Sequence, residues 1–151
     1  MAKFQFRLET LLDLRRRRRD ECRRVLAEVR RQDAELAAAG ERVVQQRVSQ
    51  LQELRNLNSA DELNVDATSA RRYYAGQLTV EIANISRQRK LLEGQIDVCR
   101  HALVKADQDV KALENLRDKQ QTEFLKAQEQ RAQRELEESW AAAHRDEVNT
   151  C

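Results

Sequence analysis

Proline is absent from this 151-residue sequence, and glycine occurs only three times. Without the two residues that most often break or turn a chain, long uninterrupted helices are favoured and tight hairpin turns are scarce. Aromatic residues make up 4% of the chain, too few for the core of a sandwich, barrel or α/β domain. Cys22, Cys99 and Cys151 are an odd number without metal-type spacing, which fits reduced thiols better than a disulfide framework. There is no run of about 18 apolar residues to cross a bilayer and no short apolar segment of the secretory type, so a cytoplasmic protein is expected. Charge of one sign does not dominate either: 28 basic residues stand against 26 acidic ones. The balance is uneven along the chain, with 14 Lys and Arg against 9 Asp and Glu in residues 1–56, and 6 against 9 in residues 112–151.

The sequence also lacks the patterns of known catalytic chemistry. No glycine-rich phosphate loop, no dinucleotide fingerprint, no H-E-x-x-H and no C-x-x-C occurs, and His101 and His144 are too far apart on one helix to share a metal. Adjacent carboxylates such as Glu137 and Glu138 read as solvated helix surface, since a thin helical protein offers no concave pocket to shift their pKa values. The expectation is no enzyme, no cofactor and no metal.

What the chain has is a seam. Leu78, Ile85, Leu92, Cys99, Ala106, Leu113 and Gln120 recur every seventh residue, and Ile82, Arg89, Ile96, Leu103, Val110, Arg117 and Phe124 form a second set. The two interleave at steps of three and four, which draws one narrow apolar stripe along a helix that a second helix must cover. The fold class is therefore all-α: two long helices in an antiparallel coiled-coil hairpin, one domain over 1–151, with a protruding C-terminal helix.

Helix one is expected over about 4–57, with Leu8, Leu11, Leu12 and Arg15 on one face and the stripe continuing through Cys22, Val25, Leu26, Val29 and Leu36. Past Gly40 the apolar residues become Val43, Val44, Val48, Leu51, Leu54 and Leu57, a one-residue change of phase that implies a local bend or supercoil change. A turn is expected at about 57–60, because Asn56, Asn58 and Ser59 favour caps and Ser59 with Glu62 has capping-box spacing. A second candidate break lies at Asp66 to Ser69. Helix two then runs over about 60–145. In that register paired residues have numbers totalling about 116, so Met1 meets Asn115 and everything beyond lacks a partner. That remainder carries Leu116, Phe124, Leu125, Leu136 and Trp140, an apolar load suited to another protein.

The run Arg15 to Arg19 circles the helix axis, and Arg15 falls on the seam. It could be a solvated basic turn whose stems cover the stripe, or an anion-seeking contact. A basic coiled coil binding nucleic acid through Arg15 to Arg19, Arg23, Arg24, Arg30 and Arg31 is the rival from another class, but no stacking platform accompanies these arginines. A membrane-surface helix would want Trp and Phe opposite the basic face, and Trp140 lies far from it in sequence.

The opening Phe4-x-Phe6-Arg7-Leu8-Glu9-x-x-Leu12-x-x-Arg15, then a basic coiled-coil arm, a polar break and a longer second helix, resembles the FliJ family of flagellar type III export proteins over the whole length. The YscO-type injectisome stalk proteins share this architecture. The resemblance implies a small cytoplasmic stalk, a monomer when free, that sits in the hexameric export ATPase, contacts the membrane export gate FlhA, escorts export chaperones and binds no nucleic acid. It places the protein at the cytoplasmic face of the inner membrane, peripheral to it through the export apparatus. It also implies an ATPase contact at the end holding both termini, where Arg15, Arg16, Arg17, Arg18, Arg19, Phe124, Leu125 and Trp140 are the candidates. The gate contact is implied early in helix two, with candidates Tyr73, Tyr74, Leu78, Ile82 and Ile85. The last three belong equally to the intramolecular seam, and two adjacent tyrosines cannot both enter it. Helices of fifty and eighty residues would span about 75 and 120 Å, enough to reach from a ring to a gate.

Overall fold

A computed structural model describes residues 3–59 and 64–148. It contains two helices, α1 (Glu9–Asn58) and α2 (Val65–Val148), packed against each other, and no strand among the described residues. The all-α antiparallel arrangement follows the seam, as the spacing requires.

Helix α1 begins later than the apolar pattern suggests. Phe4 and Phe6 precede it, and the amide of Glu9 donates to the carbonyl of Phe6 at 3.2 Å, closing a turn before the first helical bonds. This leader turns back over α2, so that Phe6, Leu12 and Val110 form a buried cluster with Phe4 and Leu113 against it. At its other end, α1 finishes at Asn58, where the Ser59 hydroxyl donates to the carbonyl of Asn56 at 2.9 Å. Ser59 thus closes the first helix. Glu62, the other half of the expected capping box, lies outside the described residues, as do most of the turn and Cys151. Described α2 starts at Val65 behind Asn64, whose Oδ1 accepts from the amide of Ala67 at 3.2 Å, the bond an N-cap makes. Thr68 does not break the chain; its hydroxyl donates back to the carbonyl of Asn64 at 2.9 Å inside the first turn.

The chain divides into two compact units, one of residues 1–19 with 105–151 and one of residues 20–104. In the first, Glu9 meets Arg117, Arg15 meets Asp109, Arg16 meets Glu114 and Phe4 meets Phe124, so the numbers of each pair total between 124 and 130. In the second, Asp33 meets Arg89, Gly40 meets Ile85 and Glu53 meets Arg71, with totals from 122 to 125. Both exceed the expected 116. The reason is the linker: a crossing between Asn58 and Val65 lies beyond Ser59, and each residue of delay adds two to the total. Phe124 is consequently covered by Phe4, so the paired part of α2 does not stop at Asn115.

The seam on α2 is as the spacing requires. Leu78, Ile82, Ile85, Leu92, Ile96, Cys99 and Leu103 in the second unit, and Ala106, Val110, Leu113, Arg117 and Phe124 in the first, are buried or half-buried, while Arg89 and Gln120 are exposed. On α1 the change of phase does not occur. Within the second unit the buried or half-buried set continues in unbroken three-four steps through Leu36, Gly40, Val43, Arg47, Gln50, Leu54 and Leu57, leaving Val44, Val48 and Leu51 exposed. Gly40 is a seam residue, not a bend. Cys22 and Cys99, both half-buried on this seam, are free thiols.

Candidate functional site

Two surfaces carry the candidate residues, one in each unit. In the first unit the arginine run is split by the helical angle. Arg15 donates to Asp109 Oδ2 at 3.4 Å. Arg16 donates to Glu114 Oε1 through Nη2 at 2.8 Å and Nε at 3.3 Å, with Asp13 Oδ1 at 3.7 Å from Nη1. The hydrogen bond to Glu114 raises the Arg16 pKa, and the same bond, helped by Arg117 and Arg19, holds the Glu114 carboxyl below its ordinary range. Arg15, Arg16 and Arg19 are half-buried; Arg17 and Arg18 face solvent and make no ion pair among the described residues. Arg17 shares a shallow surface with Arg7, Leu8, Leu11 and Leu14.

Further along α2 in this unit, the ring of Phe124 lies 5.7 Å from that of Phe4, tilted by 50°. Phe124 is therefore part of the packing, and the outward apolar candidates are Leu125 and Trp140. The indole of Trp140 is 64% exposed and stacks on the His144 ring, with centroids 4.0 Å apart. Every residue from Glu129 to Trp140 is exposed.

In the second unit the candidates separate by depth. Leu78 is 3% exposed, and Ile82 and Ile85 are half-buried on the seam, so all three are occupied in holding α1 to α2. Tyr73, 72% exposed, and Tyr74 both point out of the seam. A signal that sequence reading assigned to the core lies on the surface of this unit: Val44, Val48 and Leu51, at steps of four and three, form an exposed apolar row on α1. The clue was the polar set Gly40, Arg47 and Gln50, which kept strict heptad spacing beside it.

Ion pairs flank the seam of the second unit. Arg89 grips Asp33 through Nε at 2.9 Å and Nη2 at 3.3 Å, which lowers the Asp33 pKa and raises that of Arg89. Arg71 pairs with Glu53. Much of the remaining basic surface of α1 is also committed: Arg23 to Asp20, Arg24 to Glu21, and Arg31 to both Glu28 and Glu35. No cluster of His, Cys, Asp and Glu able to hold a metal is found among the described residues. His101 and His144 are each engaged with the carbonyl one turn earlier, Asp97 at 2.7 Å and Trp140 at 3.1 Å.

A family model described as flagellar FliJ protein matches residues 4–147, nearly the whole chain. The chain belongs to the FliJ family. Comparison with curated proteins and with solved structures returns no match. Membership gives the chain a role related to flagellar protein export. No helix among the described residues is long and apolar enough to cross a membrane.

Proposed function

We propose that the chain is a stalk-like element of flagellar export that couples the hexameric export ATPase to the export gate FlhA at the cytoplasmic face of the membrane and escorts export chaperones. The observation that supports this most directly is the segregation of uncommitted groups. Arg17, Arg18, Leu125 and Trp140 belong to the unit that holds both ends of the chain, and Tyr73, Tyr74, Val44, Val48 and Leu51 belong to the other. A hexameric ATPase supplies its own phosphate chemistry, so its stalk needs only a stiff helical body and binding surfaces. Within the arginine run, the ATPase contact falls to Arg17 and Arg18, since Arg15 and Arg16 are paired with α2. The gate contact falls to Tyr73, Tyr74 and the valine row, since Leu78, Ile82 and Ile85 are spent on the seam. The flagellar rather than the injectisome system is favoured by the family that matches.

The same pairing speaks against nucleic acid as the partner, because phosphate binding scales with the number of free cations and six of the nine arginines of that reading, Arg15, Arg16, Arg19, Arg23, Arg24 and Arg31, already have acidic groups nearby. Two binding measurements test the proposal. Purified chain titrated into the flagellar export ATPase and into the cytoplasmic part of FlhA at physiological salt should bind both, with Arg17→Glu/Arg18→Glu weakening only the first and Tyr73→Ala/Tyr74→Ala only the second. Binding to neither, or loss of both by one pair of substitutions, contradicts the division of labour.

A further inference from the structure

Two ten-residue stretches of α2 in the second unit repeat: Arg71-Arg-Tyr-Tyr-Ala-Gly-Gln-Leu-Thr-Val80 and Arg89-Lys-Leu-Leu-Glu-Gly-Gln-Ile-Asp-Val98. Arg, Gly, Gln and Val recur at the same places, and basic or apolar character is kept at four more. Part of this likeness serves the seam, since Arg71 pairs with Glu53 and Arg89 with Asp33 on α1, while Leu78 is buried and Ile96 half-buried. The rest points elsewhere. At 100° per residue, Tyr73, Gly76 and Val80 lie within about 60° of arc, about 140–160° from Leu78, and Leu91, Gly94 and Val98 stand in the same relation to Ile96. Eighteen residues make five whole turns, so the two triplets face the same way, about 27 Å apart.

Tyr73 and Leu91 are each 72% exposed, Val98 70% and Val80 55%. A Cβ added to Gly76 or Gly94 would meet nothing within 4 Å, in contrast to Gly40. Glycine disfavours a helix interior, and packing on α1 does not account for these two. What a missing side chain permits is the close approach of another helix, with one of its large side chains seated between the apolar residues three before and four after. Charge narrows the partner. On this side of α2, Arg72, Arg87 and Lys90 are exposed and without ion pairs among the described residues, whereas Asp97, at its edge, lies 3.7 Å from Arg100, and Glu35 of α1, beside Leu91, is held by Arg31. A second copy of this face would set basic residues against basic residues, and a row broken by two glycines and Arg87 offers a bilayer little to insert. An acidic partner fits. Arg87, whose Nη2 donates to Asn84 Oδ1 at 3.1 Å, sits on the row between the triplets. One long helix laid along both would bury that cation, whereas two helices, each about 10–12 Å across, can cross at the glycines and leave it in water.

We propose that Tyr73, Gly76 and Val80, and again Leu91, Gly94 and Val98, form two equivalent docking sites, each for an acidic amphipathic helix of the same partner protein, so that one chain holds two copies of it. The proposal goes beyond the export reading and does not depend on which protein bears the helix. Tyr73 is also offered to the gate, so its test leaves that residue unaltered.

The probe is a photoreactive benzoylphenylalanine placed in the full chain at Gln77, or separately at Gln95, the exposed and equivalent neighbours of the two glycines, in cells whose motility depends on the chain. Irradiation should join both positions to the same protein, through a segment rich in Asp and Glu with apolar residues at helical spacing. Titration calorimetry with that protein, purified, should give two sites on the parent chain, one on Gly76→Leu or Gly94→Leu, and none on the double variant. Arg72→Glu/Lys90→Glu should weaken binding at least about tenfold. The leucines enter open space and are better helix formers than glycine, so circular dichroism and melting temperature should be no lower than the parent's, which separates a blocked site from a damaged fold. Absence of any adduct, different proteins at the two positions, adducts with lipid or with a second copy of this chain, or parent-like binding by the double glycine variant would each overturn the proposal.

Discussion

A methyl group placed on Gly40 would lie 3.3 Å from Cγ2 of Ile85, closer than an ordinary carbon contact. Gly40 is therefore a close approach of α1 to α2 in the second unit, and its role is to lack a side chain where the seam passes. Two effects compete on substitution. Alanine recovers about 1 kcal/mol of helix propensity, and it asks Ile85, half-buried at the edge of the seam, to yield by a few tenths of an ångström. Gly40→Ala should therefore be stabilising by somewhat less than about 1 kcal/mol, and Gly40→Leu should be destabilising by about 1–3 kcal/mol, because its branches cannot be accommodated by so small a shift. Urea unfolding of the two variants against the parent checks both signs.

The Arg16 to Glu114 pair predicts a pH dependence. Its hydrogen bonds lower the Glu114 pKa below the ordinary 4.5, so the charged carboxylate is favoured in the folded chain. A depressed carboxyl contributes stability that is present above its unfolded pKa and disappears as pH falls through the folded value. Asp33, lowered below its ordinary 3.8 by Arg89, acts in the same direction in the second unit. Glu114→Gln should therefore be less stable than the parent at neutral pH, and the gap should close on acidification below about pH 4.5. Thermal unfolding of both chains along a pH series measures the gap; one that stays constant would remove the pair from the account.

Splitting the arginine run gives a sharper test of the ATPase contact than reversing it whole. Arg17→Glu/Arg18→Glu touches two exposed residues without ion-pair partners among the described residues, so stability should change by no more than about 0.5 kcal/mol. If these residues attract the ring, binding should weaken and lose part of its salt dependence, since exposed charges are screened over about 8 Å at physiological ionic strength. Arg15→Glu/Arg16→Glu should do something different: it sets glutamates against Asp109 and Glu114 and should lower the melting temperature before any binding is measured. Equal binding by the parent and the Arg17/Arg18 variant would return those residues to a solvated role.

The seam of α2 was legible because twelve of its fourteen heptad positions are buried or half-buried where the spacing put them. The seam of α1 was misread past Gly40 because apolar identity was followed in preference to phase. Val44 and Val48 are valines on the flank, while Arg47 and Gln50, polar by type, hold the phase half-buried, with Gln50 Oε1 accepting from Arg71 of α2 at 3.5 Å. The register was misread for a related reason: Ser59 and Asn64 are both good caps, and one closes α1 while the other opens α2, which lengthens the linker and moves every pair. Phe124 changed sides with that register. The exposed tyrosines were legible as surface because two neighbouring residues on a helix, 100° apart, cannot share so narrow a stripe. What no spacing could show was which arginines of the run would find Asp109 and Glu114, since that depends on the register itself.

Leu78 and its tyrosine neighbours should separate stability from recognition. Leu78→Ala removes a nearly inaccessible side chain and should cost about 2–5 kcal/mol, enough to loosen the second unit and to lower every binding activity together. Tyr73→Ala and Tyr74→Ala remove rings that already face solvent, so helix content, melting temperature and ATPase binding should stay near the parent's. If the gate docks here, at least one tyrosine variant should lose gate binding and slow the spread of cells in soft agar, because a solvent-facing ring gains its burial only when a partner covers it. Replacing Val48 by Glu in the same assays asks whether the exposed row on α1 shares in the contact: the charge should leave the fold intact and weaken gate binding. Parent-like gate binding by all three surface variants, with Leu78→Ala alone defective, would show that this unit serves only to hold the two helices together.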